Sequence, residues 1–207
     1  MRTLVLLLAL GASAGAWAIP IWSEGTGSAV QNVDGIVTFD AIANHDDLSG
    51  FQENGVSVTV ADAAFVGFDP TGGRGGFNDG FFYANGGAMA PYVVDVGGAD
   101  LLAVEFTVGS GFALDRLLGH TQLYYETFRD GVSTGSGSAA FTLGDVFGLR
   151  DSAGFDELHL FNVNPRQGDK NALAIDYLTI ERAVVSEPAV LSMVFAGLLL
   201  MFTARRR

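Results

Sequence analysis

The sequence predicts an all-β fold, a two-sheet antiparallel sandwich of jelly-roll type. Three observations predict it. From Asp34 to Arg182 the chain is a succession of short runs rich in β-branched and aromatic residues. Gly, Asn and Asp punctuate those runs. No stretch between them carries the apolar spacing of a long amphipathic helix.

Ten strands are expected in order: Ile36 to Asp40, Val56 to Val60, Phe65 to Phe68, Phe81 to Tyr83, Tyr92 to Val96, Leu102 to Val108, Leu123 to Arg129, Ala139 to Leu143, Glu157 to Val163 and Ala172 to Glu181. Period two is plain at Val56, Val58 and Val60, which share a face opposite Ser57 and Thr59. On the last strand the same alternation sets Leu173, Ile175, Tyr177 and Thr179 against Ala174, Asp176, Leu178 and Ile180. Asn54-Gly55, Asn78-Asp79-Gly80, Asn85-Gly86-Gly87 and Asp130-Gly131 supply residues that tolerate positive φ, so hairpins and tight corners are expected there. Leu114 to Leu118 fits one short helical turn. Ten short strands in one domain make a sandwich.

The two ends of the chain read differently. A charge at Arg2, an apolar run from Leu4 to Leu10 and small residues closing on Ala16-Trp17-Ala18 have the anatomy of a secretory signal, cut by signal peptidase after Ala18. At the other end Ser186-Glu187-Pro188 precedes sixteen uncharged residues, Ala189 to Ala204, and then Arg205, Arg206 and Arg207. As a helix that apolar run spans about 24 Å, short of a hydrocarbon core of about 30 Å. Arginines held on the cytoplasmic side place the bulk of the chain outside. The expected organisation is a signal peptide over 1–18, a connecting segment over 19–33, the sandwich over 34–182 and a tail over 183–207 with a transmembrane helix at 189–204.

This tail resembles the PEP-CTERM sorting signal of Gram-negative bacteria, a Pro-containing acidic motif followed by an apolar helix and an arginine cluster, with Ser186 standing where that family has its first Pro. The resemblance covers the last ~22 residues and implies removal of the tail by an exosortase, a membrane transpeptidase. It also implies a final location at the cell surface or in the exopolysaccharide matrix of a biofilm.

Composition narrows the partners. The chain has 11 basic and 23 acidic residues and a net charge of -12. Between the end segments, from Ile19 to Ala204, 7 basic residues face the same 23 acidic ones. A nucleic-acid partner is disfavoured, because phosphate binding needs clustered Lys and Arg. An acidic surface keeps an exported protein soluble and leaves room for divalent cations. With no cysteine, neither a disulfide nor a thiolate metal site is available.

Catalytic constellations are mostly missing. Gly131-Val132-Ser133-Thr134-Gly135 matches G-x-S-x-G, but a nucleophile elbow needs a strand, a sharp turn and a helix; Ser136 to Ala140 lead into another strand instead, so a hairpin loop is expected. His45, His120 and His159 stand in no metal-ligand spacing. Gly72 to Gly76 resembles one calcium-binding nonapeptide repeat, yet it occurs once, with Phe77 where the ligand Asp belongs. Asp156 and Glu157 are adjacent, so a strand turns them to opposite faces and they give no glycosidase pair. The glycine-rich stretch Gly72 to Gly87, with Phe77, Phe81, Phe82 and Tyr83, reads either as an aromatic rim for stacking on sugars or as a long loop whose aromatics close the core, the usual use of such residues.

The first strand ends Thr38-Phe39-Asp40 and the last carries Ala174-Ile175-Asp176-Tyr177. The arrangement resembles jelly-roll carbohydrate-binding modules and related exported sandwiches. In those, acidic residues of the first and last strands can share a structural calcium, which takes six to eight oxygen ligands. The resemblance makes Asp40 and Asp176 candidate calcium ligands; otherwise they accept backbone hydrogen bonds at strand ends. Taken together, the sequence points to a non-catalytic exported protein that binds or scaffolds exopolysaccharide, with a secreted glycan-acting enzyme on the same fold as the alternative.

Overall fold

The computed structural model describes residues 29–42, 50–61, 65–68, 77, 80–85, 90–98, 100–110, 122–162 and 173–183. The expected signal peptide, its Ala16 and Ala18, the sorting tail with Ser186, Glu187, Pro188, Arg205, Arg206 and Arg207, the apolar span 189–204, the turn at Leu114 to Leu118, His45 and His120 lie outside the described residues. Among the described residues no helix is long and apolar enough to cross a membrane.

The described residues form strands: β1 (Gly35–Val37), β2 (Gly50–Glu53), β3 (Val56–Thr59), β4 (Phe65–Phe68), β5 (Phe81–Asn85), β6 (Tyr92–Asp95), β7 (Leu101–Ser110), β8 (Gln122–Arg129), β9 (Val132–Ala140), β10 (Val146–Phe155), β11 (Glu157–Asn162) and β12 (Leu173–Arg182). All pairings are antiparallel and make two sheets. The first runs β10-β7-β12-β5-β4, with β1 also on β12; the second runs β2-β3-β6-β11-β8-β9. The β2–β3, β4–β5 and β8–β9 ladders are hairpins, while the others join strands distant in the chain, the interleaved wiring expected of a jelly-roll sandwich.

The inward faces of the two sheets share one core. Val104, Phe106, Val108, Leu173, Ile175, Leu178 and Ile180 of the first sheet meet Val56, Val58, Tyr92, Val94, Leu123, Leu158 and Leu160 of the second. The Tyr125 ring of β8 lies 6.0 Å from Phe147 of β10, and Phe82 meets Tyr92 edge-on at 5.1 Å. The Tyr92 hydroxyl donates across the sheets to the Leu173 carbonyl at 2.5 Å, so the one polar tip inside this contact is satisfied.

Three departures from the sequence reading have local causes. β2 and β10 were not expected, because Gly50–Glu53 is short and Val146–Phe155 interrupts its apolar residues with Arg150, Asp151 and a bulge reaching Gly154 at φ 80. β9 begins at Val132 rather than Ala139; its first residues are mostly Ser, Thr and Gly, which carry little strand propensity. Pairing with β8 holds it, and the Tyr125 ring occupies the place of the missing Cβ of Gly137, where a methyl would come within 2.7 Å of the ring carbons.

The third departure corrects the alternation expected of the last strand. Asp176 faces Thr107 and Thr179 faces Glu105, so two residues of β12, Tyr177 and Leu178, oppose the single Phe106. This bulge turns Tyr177 outward, 55% exposed at φ 50, and puts Leu178 and Ile180 on the same core as Leu173 and Ile175. Strict alternation would have carried those two apolar residues to the outer face. Their burial outweighs one strained residue, which costs about 1–2 kcal/mol against about 1.5–3 kcal/mol for each buried aliphatic side chain.

Candidate functional site

The outer face of the first sheet is roofed. Arg150 of β10 and Glu181 of β12 both stand opposite Ala103 of β7, and so converge across it. Their ion pair is bidentate, Nη1 to Oε2 at 2.8 Å and Nη2 to Oε1 at 3.0 Å. The segment before β1 lies over it: Ala29 accepts from Arg150 Nη1 at 2.8 Å through its carbonyl, while the N–H groups of Gln31 and Asn32 donate to Glu181 Oε2 at 2.7 and 3.2 Å. Ala29 N–H donates to Glu105 Oε1 at 2.6 Å. Glu181 is only 4% exposed, and the hydrogen bond from Arg150, helped by the two backbone donors, pulls its carboxyl down to about 2 against the desolvation that burial imposes. The same pair raises the Arg150 guanidinium above its ordinary value.

Further along this face Phe77, Phe81 and Tyr83 pack on Ala174, with Phe77 and Phe81 rings 4.8 Å apart. Burial pushes the Tyr83 phenol up. These aromatics of the glycine-rich stretch, and Phe82 in the main core, close hydrophobic clusters, so they offer no rim for a ligand.

The two candidate calcium ligands sit near this sheet. Asp176 is 8% exposed at the bulge, where its Oδ1 accepts the Tyr177 N–H at 2.6 Å. Val37 of β1 pairs with Leu178, but the chain leaves the ladder at Thr38, whose N–H donates to Glu53 Oε2, and Asp40 follows exposed in a turn closed by Ile42 N–H on the Phe39 carbonyl. Among the described residues no three His, Asp or Glu side chains come together as a metal-holding group.

The outer face of the second sheet is built differently. Phe161 of β11 stands directly opposite Tyr124 of β8, and their rings stack at 5.3 Å and 14°. His159 stands opposite Glu126 and packs on Phe128 at 4.5 Å, while Phe128 stands opposite Glu157. Glu157 Oε1 meets His159 Nε2 at 2.5 Å, and Ser133 Oγ donates to Glu126 Oε1 at 2.7 Å. Next to β11, Asp95 of β6 lies opposite Glu157. The described arginines are all elsewhere: Arg129 reaches the Gly154 carbonyl with Asp100 at 3.8 Å, Arg150 holds Glu181, and Arg182 reaches the Asp34 and Asn54 carbonyls.

The sequence motifs find ordinary roles here. Asp130 and Gly131, at φ 51 and 72, form the tight turn of the β8–β9 hairpin, and Ser133 lies in β9 itself, so the G-x-S-x-G run has no strand-turn-helix geometry. Asp156 sits where the chain leaves β10 for β11 and changes sheet; its Oδ2 accepts the Asp130 N–H, while Glu157 turns to His159. Sequence reasoning found neither the Arg150–Glu181 clamp nor the aromatic row of Tyr124, Phe128 and Phe161.

The class of protein so defined is an all-β, two-sheet antiparallel sandwich in which, among the described residues, one outer face is covered by the segment 29–32 and the other is half-exposed. No family model matches the chain. No curated protein matches it either. Among solved structures it is similar to the M60 catalytic domain with the CBM51-1 and CBM51-2 domains from Clostridium perfringens ZmpB, at 11% identity and a TM-score of 0.38, covering 73% of this chain and 16% of that one. A likeness that distant carries nothing to ligand or activity.

Proposed function

We propose that this chain is an exported cell-surface or extracellular-matrix protein, sorted by an exosortase, whose sandwich binds or scaffolds exopolysaccharide without catalysis. The observation that carries the reading is the spacing at its end. β12, paired in the first sheet to its last residue, stops at Arg182, and only Ala183 to Val185 separate it from Ser186-Glu187-Pro188, the uncharged run to Ala204 and the three arginines. A motif of this kind standing three residues behind the last described strand suits a device that is read, cut and discarded.

The signal peptide cut after Ala18 gives the chain its route out. What then stays at the surface is the sandwich, strongly acidic and suited to display rather than to nucleic-acid contact. Deleting Glu187 to Arg207 in the native host releases the domain into the medium, and changing Arg205, Arg206 and Arg207 to Ala disturbs retention and processing. A protein that stays attached after the deletion refutes the sorting. Turnover of the host's matrix polymer by the purified chain, lost on replacing one acidic residue with the fold intact, replaces the non-catalytic reading with that of a glycan-acting enzyme.

A further inference from the structure

We infer that the outer face of the second sheet, along β8 and β11, binds a cationic amino-sugar polymer, a chain of hexosamines whose amines are free rather than acetylated. This rests on the matrix-binding reading and names its ligand class and site.

Three features of the face converge on that chemistry. Tyr124 stacked with Phe161, and Phe128 packed on His159, put two patches of aromatic surface on one face. They are set four residues apart along β8, about 13 Å at the strand rise. Rings in such positions offer the apolar surface that the C–H faces of pyranose rings need, and also attract cations through their negative faces. Between and beside them stand Glu126, Glu157 and Asp95, with no Lys or Arg among the described residues of the face.

Charge complementarity decides among glycans. A neutral sugar chain can stack on the rings and donate its hydroxyls, but it leaves the negative charge of the face unbalanced; an anionic one meets three carboxylates on a chain of net charge -12. A protonated amine satisfies both kinds of group, by charge-assisted hydrogen bonds to Glu126 or Glu157 and by lying near the rings. The surroundings favour a sugar over a basic peptide. Ser133, Ser136 and Ser138 line the β9 flank of the face, where hydroxyls can exchange hydrogen bonds with a polyhydroxylated chain.

The test is calorimetry on the purified full chain, at a mildly acidic pH above the carboxylate range, with four probes: a glucosamine hexamer, an N-acetylglucosamine hexamer, a mannuronate hexamer and hexalysine. The glucosamine hexamer is expected to bind about tenfold more tightly than its acetylated form, the worth of one charge-assisted contact. In Glu126→Gln combined with Glu157→Gln that preference collapses. In Tyr124→Ala binding of both sugar hexamers weakens, and circular dichroism of each variant keeps its β signal.

Equal binding of the two sugars, tighter binding of mannuronate, or no sugar binding by a folded chain overturns the inference. So does hexalysine binding as tightly as the glucosamine hexamer with no loss in Tyr124→Ala, which makes the face a mere acidic patch or a peptide site. Retention on the native exopolysaccharide separates the two levels. If the wild type and all variants are held alike, the matrix reading stands and this site falls; if none is held, matrix binding itself falls.

Discussion

The two outer faces of the sandwich start from the same strand geometry and end with opposite chemistry. On the first sheet Glu105 and Glu181 are buried under residues 29–32, and each accepts from backbone N–H groups of that segment. On the second sheet Glu126 and Glu157 stay at the surface, paired with a serine and a histidine from the same face. A carboxylate is thus structural or available according to what the flanking chain lays over it, not according to the strand it stands on. That is why a count of acidic residues says little about ligands until the roof is known.

The largest effect is expected at the clamp. Removing one partner of a buried ion pair leaves the other charged and unpaired, so Glu181→Ala is expected to cost about 3–5 kcal/mol in urea or thermal unfolding. A loss under about 1 kcal/mol in such a melt, the range of exposed pairs, would make the roof as dispensable as the second sheet's outer face.

Acid sharpens the same contrast. The folded-state Glu181 carboxyl lies at about 2 against an ordinary 4.5, so its contribution is fully present above 4.5 and is lost as pH falls through about 2. The shift corresponds to about 3 kcal/mol. Unfolding free energy followed from neutral pH downward should lose this increment in that window in the wild type, and Glu181→Gln should flatten that part of the curve. A curve of the same shape in the variant would assign the acid sensitivity to other carboxylates.

Asp176 tests which side of the comparison a buried carboxylate at a bulge belongs to. If it shares a calcium ion with Asp40, melting in calcium at a hundredfold over its dissociation constant gains about 2.7 kcal/mol over melting in chelator, and Asp176→Asn abolishes the gain. Equal responses in the two proteins make Asp176 an ordinary strand residue, with any calcium site elsewhere. The smallest effect belongs to the second sheet's outer face: Glu157→Gln, which breaks only a half-exposed pair with His159, is expected to change stability by less than about 1 kcal/mol. A larger loss there would mean that this face, too, is part of the scaffold.

Much of the fold was legible because burial on one face writes period two into the chain. Val56, Val58 and Val60 are all inside, as are Leu158 and Leu160, and the turns at Asn54-Gly55 and Asp130-Gly131 fall where their chemistry placed them. What was illegible has a physical pattern. β9 is held by its neighbour rather than by propensity, and β10 carries a charged pair and a bulge. The clamp joins Ala29, Glu105, Arg150 and Glu181, four positions that no local window spans. The face of Tyr124, Phe128 and Phe161 was half visible: these residues lay in expected strands, but which face the segment 29–32 covers could not be read from the strands alone. Phe77, Phe81 and Tyr83 stood out instead, because their glycine-rich setting has the composition of a loop, yet their rings are packed away.

The position of β12 also sets a timetable. It is the last of the described strands in chain order, and it fills the middle of the first sheet, with β7 on one side and β1 and β5 on the other. The second sheet has all six of its strands once residue 162 has emerged, whereas the first remains two ladders and a stray strand around an empty slot until residue 182 arrives. A chain that appears from its N-terminus onward therefore waits with half a core uncovered. Only the ten residues of β12 end that wait, and the segment at residues 29–32, the earliest of the described residues, is fastened by one of the latest, Glu181.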